Sequence, residues 1–112
     1  MATFPLHISY TDFEPSEALN ETIEKKADKL TKYSDRITNC EVIVSAPHKH
    51  KKQKIYHIQI RLHVPGAELI VNREPEKDYS HNDIKVAVRD AFDAMARQLE
   101  DFVQKKRDTV RT

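Results

Sequence analysis

Tyr56-His57-Ile58-Gln59-Ile60-Arg61-Leu62-His63-Val64, closed by Pro65-Gly66, is the stretch whose reading decides the fold. Apolar side chains at every second position alternate with polar ones, the period of a strand with one buried and one wet face. That pattern belongs to an antiparallel sheet covered on one side only. Pro65-Gly66 supplies a turn. Beyond it Leu69, Val71 and Arg73 alternate with Glu68, Ile70 and Asn72, a second strand. Upstream, Cys40, Val42, Val44 and Ala46 alternate with Glu41, Ile43 and Ser45, a third. Pro47-His48-Lys49-His50-Lys51-Lys52-Gln53-Lys54 reads as a polar, basic connection between strands.

Two helical patterns flank this core. Leu6, Ile8 and Tyr10 alternate with His7 and Ser9 as a short first strand, which Glu14-Pro15-Ser16 ends. Ser16 fits an N-cap, its hydroxyl accepting from an amide of the first turn. Leu19, Ile23, Ala27 and Leu30 then form one apolar stripe on a helix running to about Tyr33. Near the C-terminus Ile84, Val88, Ala91, Met95, Leu99 and Phe102 form another, on a helix expected to fray near Lys105. Ser80-His81-Asn82-Asp83 before it resembles a capping box. The order is β-α-β-β-β-α, an α+β fold. A right-handed βαβ start makes strands one and two parallel, so the four-stranded sheet is mixed. Both helices then cover one face and leave the other open. The 112 residues suit one domain, expected over residues 1–104, with a short basic tail over 105–112.

Composition removes whole classes of function. The lone Cys40 permits no internal disulfide and fits a reduced, cytosolic setting. No segment approaches the roughly 20 apolar residues of a membrane span, and Met1-Ala2-Thr3-Phe4-Pro5 does not open a secretion signal. Gly66 is the single glycine, so no P-loop or dinucleotide fingerprint exists. No nucleophile, base and orienting group can be named together, so neither an enzyme nor a small-molecule substrate is expected. His7, His57 and His63 fall on the wet face of the sheet, and His48, His50 and His81 in connections. They show no closed ligand spacing, so neither metal nor cofactor is expected.

Charge is what remains. The formal net charge is only +1, yet Lys25, Lys26, Lys29, Lys32 and Arg36 cluster on and just after the first helix. At about 100° per residue, Glu17, Glu21, Glu24 and Asp28 take one flank of its solvent side. Lys25, Lys29 and Lys32 take the other, with Lys26 near the apolar boundary. The ordinary reading of such a face is a solvated set of i,i+4 pairs, here Glu21–Lys25 and Asp28–Lys32. Segregated signs point instead to a surface that meets phosphate. Lys49, Lys51, Lys52 and Lys54 offer either a second basic patch or a solubilising tip. The second helix differs: from Lys85 to Asp101 it holds Lys85, Arg89 and Arg97 against Asp90, Asp93, Glu100 and Asp101.

The segment Lys26-Ala27-Asp28-Lys29-Leu30-Thr31-Lys32-Tyr33-Ser34-Asp35-Arg36-Ile37 resembles the pattern K-x-x-K-L-x-x-Y-x-D-R-I of the ribosome hibernation-promoting factor family. Ala18-Leu19, Asp83, Asp93 and Arg97-Gln98-Leu99 extend the resemblance over nearly the whole chain. It departs at Lys85, Ala94 and Glu100-Asp101, where the family carries an aromatic, a lysine and a basic or neutral pair. The resemblance implies a fold related to double-stranded RNA-binding domains. It implies a cytoplasmic, non-catalytic factor of stationary phase and stress that silences translation. Its partner would be the small ribosomal subunit, in the messenger and transfer RNA channel, with Lys26, Lys29, Arg36 and Arg97 on ribosomal RNA. Helical geometry adds Lys25, Lys32 and Arg89 to that set. A chain ending at Thr112 lacks the second, dimer-forming domain of long members, so a short form and a monomer are expected. The acidic second helix keeps one alternative open, a stress-related protein-interaction module of the same fold with weakened ribosome binding.

Overall fold

The computed structural model describes residues 4–11, 14–50, 53–73 and 84–110. The elements are β1 (Leu6–Thr11), α1 (Glu17–Lys29) continued by a 3₁₀ turn (Leu30–Lys32), β2 (Asn39–His50), β3 (Gln53–Val64), β4 (Ala67–Arg73) and α2 (Ile84–Val110). The strands form one sheet in the order β1-β2-β3-β4. β1 runs parallel to β2, with Ile8 opposite Val42. β2 to β3 and β3 to β4 are antiparallel, with Val42 opposite Ile60 and Ile60 opposite Val71. The expected mixed sheet is therefore present.

Register puts every core residue of the sheet on one face. Cys40, Val42, Val44, Ile58, Ile60, Leu62, Leu69 and Val71 are buried there beneath both helices. α1 contributes Leu19, Ile23 and Ala27, with Leu30 following in the 3₁₀ turn. α2 contributes Val88, Ala91, Phe92, Met95 and Leu99. Each large side chain removed from water stabilises the fold by about 1.5–3 kcal/mol. A slip of one residue in β3 would turn Ile58, Ile60 and Leu62 to solvent, so burial fixes the register.

Polar contacts set where each helix sits. Ser16 caps α1, its Oγ accepting from the Leu19 amide at 3.2 Å. The Tyr10 hydroxyl of β1 donates to Asn20 Oδ1 at 2.7 Å and approaches the Ser16 carbonyl at 3.4 Å. On the opposite side, Gln98 Nε2 donates to the Ile70 carbonyl of β4 at 3.3 Å. Lys106 Nζ donates to the Pro65 carbonyl at 3.1 Å and lies 5.5 Å from the centroid of the Phe102 ring. Gly66 adopts φ 85°, the left-handed conformation that the residue after proline takes in a type II turn.

Three expectations change. β2 and β3 run on to His50 and from Gln53, so most of the basic stretch is paired strand and not connection. The register shifts between Ser45 and His48, and Pro47, which has no amide hydrogen for a ladder, falls in that irregularity. α2 continues through Lys105 to Val110, so Lys105, Lys106 and Arg107 are helical residues and not a frayed tail. The 83-terminated capping box, with His81, lies outside the described residues.

Candidate nucleic-acid interface

The orientation of α1 follows from its contacts. Asn20 is held by Tyr10 of β1, an edge strand, so that side of α1 points away from α2. Counting about 100° per residue, Glu17, Glu24 and Asp28 follow Asn20 around the helix on the same side. Lys25, Lys29 and Lys26 occupy the opposite flank and are turned toward α2. Lys26 is half-buried, while Lys25, Lys29, Lys32 and Arg36 are exposed. The 3₁₀ turn carries Lys32, and the Arg36 amide donates to Ser34 Oγ at 3.1 Å, which shapes the backbone after it.

The expected helix pairs do not form. Neither Glu21–Lys25 nor Asp28–Lys32 closes to an ion pair, and none of the five cations pairs with another described residue within 4.0 Å. Surface pairs of this kind are worth at most about 1 kcal/mol, so little holds them shut. The positive flank is open to an anion. Tyr33 stands 39% exposed between Lys32 and Arg36. An aromatic among cations is a platform on which a nucleotide base stacks, and charge-based reading passes over it. Its signal lay in the sequence: Tyr33 follows Leu30 by three yet falls beyond the helix that carries the stripe.

α2 presents a different surface. Gln98 marks its β4 side, so Arg89, near the other edge of its buried stripe, flanks the cleft toward α1. Arg89 Nη2 lies 3.4 Å from Asp90 Oδ1, and both are exposed. Arg97 is exposed and forms no ion pair among the described residues. Asp93, Glu100 and Asp101 stand at the four-back, three-on and four-on positions from it, the neighbours that lower its local potential. The structure thus gathers Lys25, Lys26 and Lys29 on one wall, with Lys32 and Arg36 at its end. Arg89 lies across the cleft and Arg97 out on the solvent side.

The remaining reactive groups serve the fold. Burial, with a smaller push from Glu41, raises the Cys40 thiol from its ordinary 9.0 to about 12. A thiol held protonated is no nucleophile. On the open face of the sheet, His63 Nε2 lies 3.8 Å from Glu41 and its Nδ1 3.7 Å from Glu68, which also meets Arg61 at 4.0 Å. His63 is thus a paired group and not the freely solvated one expected. No cluster of three or more His, Cys, Asp or Glu suited to a metal ion occurs among the described residues. Among them no helix is long and apolar enough to cross a membrane.

Comparison with known proteins places these features in a lineage. A ribosome hibernation promoting factor of Azotobacter vinelandii is 34% identical over 94 residues, covering 84% of this chain and 78% of that protein. A ribosome hibernation promotion factor of Deinococcus radiodurans is 28% identical over 95 residues, of which this chain spans only 47% of the length. The crystal structure of the Thermus thermophilus Protein Y N-terminal domain superposes with a TM-score of 0.70 at 22% identity, over 90% of this chain and 97% of that one. The family model described as sigma 54 modulation protein / S30EA ribosomal protein matches residues 6–107, and the chain belongs to that family.

Proposed function

We propose that this chain is a non-catalytic ribosome hibernation factor. It binds the small ribosomal subunit where messenger and transfer RNA lie, and it blocks translation by occupying that channel. Five cations on one flank of α1, none of them neutralised by a described carboxylate, carry this reading. Lys25, Lys26, Lys29, Lys32 and Arg36 neutralise ribosomal RNA phosphates, and Tyr33 offers a stacking surface. Arg89 and Arg97 assist from α2. The names of the relatives support the ribosome as partner. Action in the cytoplasm, in stationary phase and under stress follows from such a role.

Sedimentation of stationary-phase lysate at low and moderate salt tests it. The protein should travel with small subunits at low salt and be released as salt rises, because phosphate contacts exchange with counterions. Lys26→Glu with Lys29→Glu should abolish co-sedimentation and leave thermal unfolding unchanged. Wild-type protein that stays at the top of the low-salt gradient refutes the function. A folded double variant that still sediments refutes the face. Recovery of one protein partner without ribosomal RNA would select the protein-interaction alternative, which the Arg89–Asp90 pair and the acidic neighbours of Arg97 favour.

A further inference from the structure

The densest positive charge in the chain lies away from α1. Residues 49–54 hold four lysines and no acid. Of 19 Lys and Arg against 18 Asp and Glu, that leaves 15 against 18, a net −3, on the rest. The topology places this charge on a projection. β2 has β1 as a neighbour only as far as Ser45, and β3 has β4 only from Ile58 onward. Beyond those points the register joins the two strands to each other alone: His48 to Ile55, Lys49 to Lys54, His50 to Gln53. At about 3.3 Å per residue, the ribbon from Ser45 to His50 reaches roughly 17 Å past the four-stranded body.

From this arm we infer a second RNA contact, in which Lys49 and Lys54 meet backbone phosphates that the α1 flank does not reach; the choice of RNA rests on the function proposed above. Lys49 is registered directly opposite Lys54. Like charges in that position weaken a ribbon, and a two-stranded ribbon has little stability to spare. Guarding an exposed edge asks for a charge, not for a repelling pair across it. An anion bound between them removes the cost. The stretch 49–54 contains no arginine and no aromatic residue, so its contact is Coulombic and indifferent to base sequence.

The test uses the whole protein and two probes, a roughly 16-base-pair RNA duplex of arbitrary sequence, about the span one double-stranded RNA-binding domain covers, and purified small subunits. Lys49→Glu with Lys54→Glu should weaken duplex binding by roughly tenfold or more at low salt. It should also flatten the slope of log affinity against log salt by about 1.5, near 0.7–0.9 for each phosphate lost. The melting temperature should hold or rise, since the repulsion is gone. If the glutamate pair does not fold, Lys49→Gln with Lys54→Gln is read instead and should show the same direction. A folded variant with unchanged duplex affinity and slope overturns the arm contact, as does wild-type protein that ignores the duplex or prefers phosphatidylserine vesicles. Loss of duplex binding in the variant, beside wild-type protein that never sediments with small subunits, sinks the ribosomal function and leaves the arm contact standing.

Discussion

α1 and α2 lie side by side on one face of the same sheet, yet they handle charge in opposite ways. From Glu17 to Lys32 the chain holds four acids and four bases, sorted onto two flanks. From Ile84 to Asp101, α2 interleaves them, and Arg89 already leans on Asp90. Nearly neutral totals hide this difference. What a polyanion meets is the local potential, which sorting preserves and mixing cancels within a Debye length of about 8–10 Å. One helix offers a surface for phosphate and the other mainly a covered core.

The comparison stands only if the two helices are equal as core elements. Ile23 of α1 and Leu99 of α2 are both fully buried, against the same sheet. Ile23→Ala and Leu99→Ala should each cost about 2–5 kcal/mol, measured by urea unfolding. A cost near zero for Ile23→Ala alone would mean that α1 is a loosely held attachment. Its differing surface would then reflect weak packing and not a binding role.

The next effect is smaller and sharpens the contrast from the other side. If acids on α2 are what limit its share in binding, removing them should strengthen the complex. Glu100→Lys with Asp101→Lys should tighten small-subunit binding severalfold at low salt, with a steeper salt dependence. Both residues are exposed, so stability should move by no more than about 0.5 kcal/mol. Unchanged affinity and slope would show that this part of α2 faces away from the ribosome.

How far the sequence alone led depends on which contacts each feature needed. Strict alternation from Tyr56 to Val64 and the stripe Leu19-Ile23-Ala27-Leu30 are local patterns, and both strand and helix were legible from them. The strand character of His48–His50 and Gln53–Lys54 was not. Polar, basic residues look like loop, and only cross-strand backbone bonds make them a ribbon. The end of α2 was hidden for a related reason: Lys106 is anchored on the Pro65 carbonyl, 41 residues earlier. For the candidate site, sorting of signs on α1 was visible by counting. Which flank turns toward α2 was not, because it rests on Tyr10 meeting Asn20 across two elements. Nor did spacing reveal that Glu21–Lys25 and Asp28–Lys32 stay open.

That Tyr10 contact gives the smallest and most selective effect, because it makes the attachment of α1 titratable. α2 is held to β4 by the Gln98 amide, which has no proton to lose. Burial raises the Tyr10 phenol above its ordinary 10.0, outweighing the bond to the Ser16 carbonyl that lowers it. A folded-state value above the unfolded one means the fold holds the proton more tightly. The stability this contributes is complete below pH 10.0 and is lost as pH rises through the raised value. Loss of the phenolic proton also ends the donation to Asn20, a bond worth about 1 kcal/mol. Cys40 has the same sign and acts between 9.0 and about 12, so the comparison is made in a Cys40→Ala background. Urea unfolding from pH 8.5 to 11 should then show the parent losing stability relative to Tyr10→Phe as pH climbs past 10. Parallel curves would mean that the phenol is no fastening for α1, and that both helices are held by packing alone.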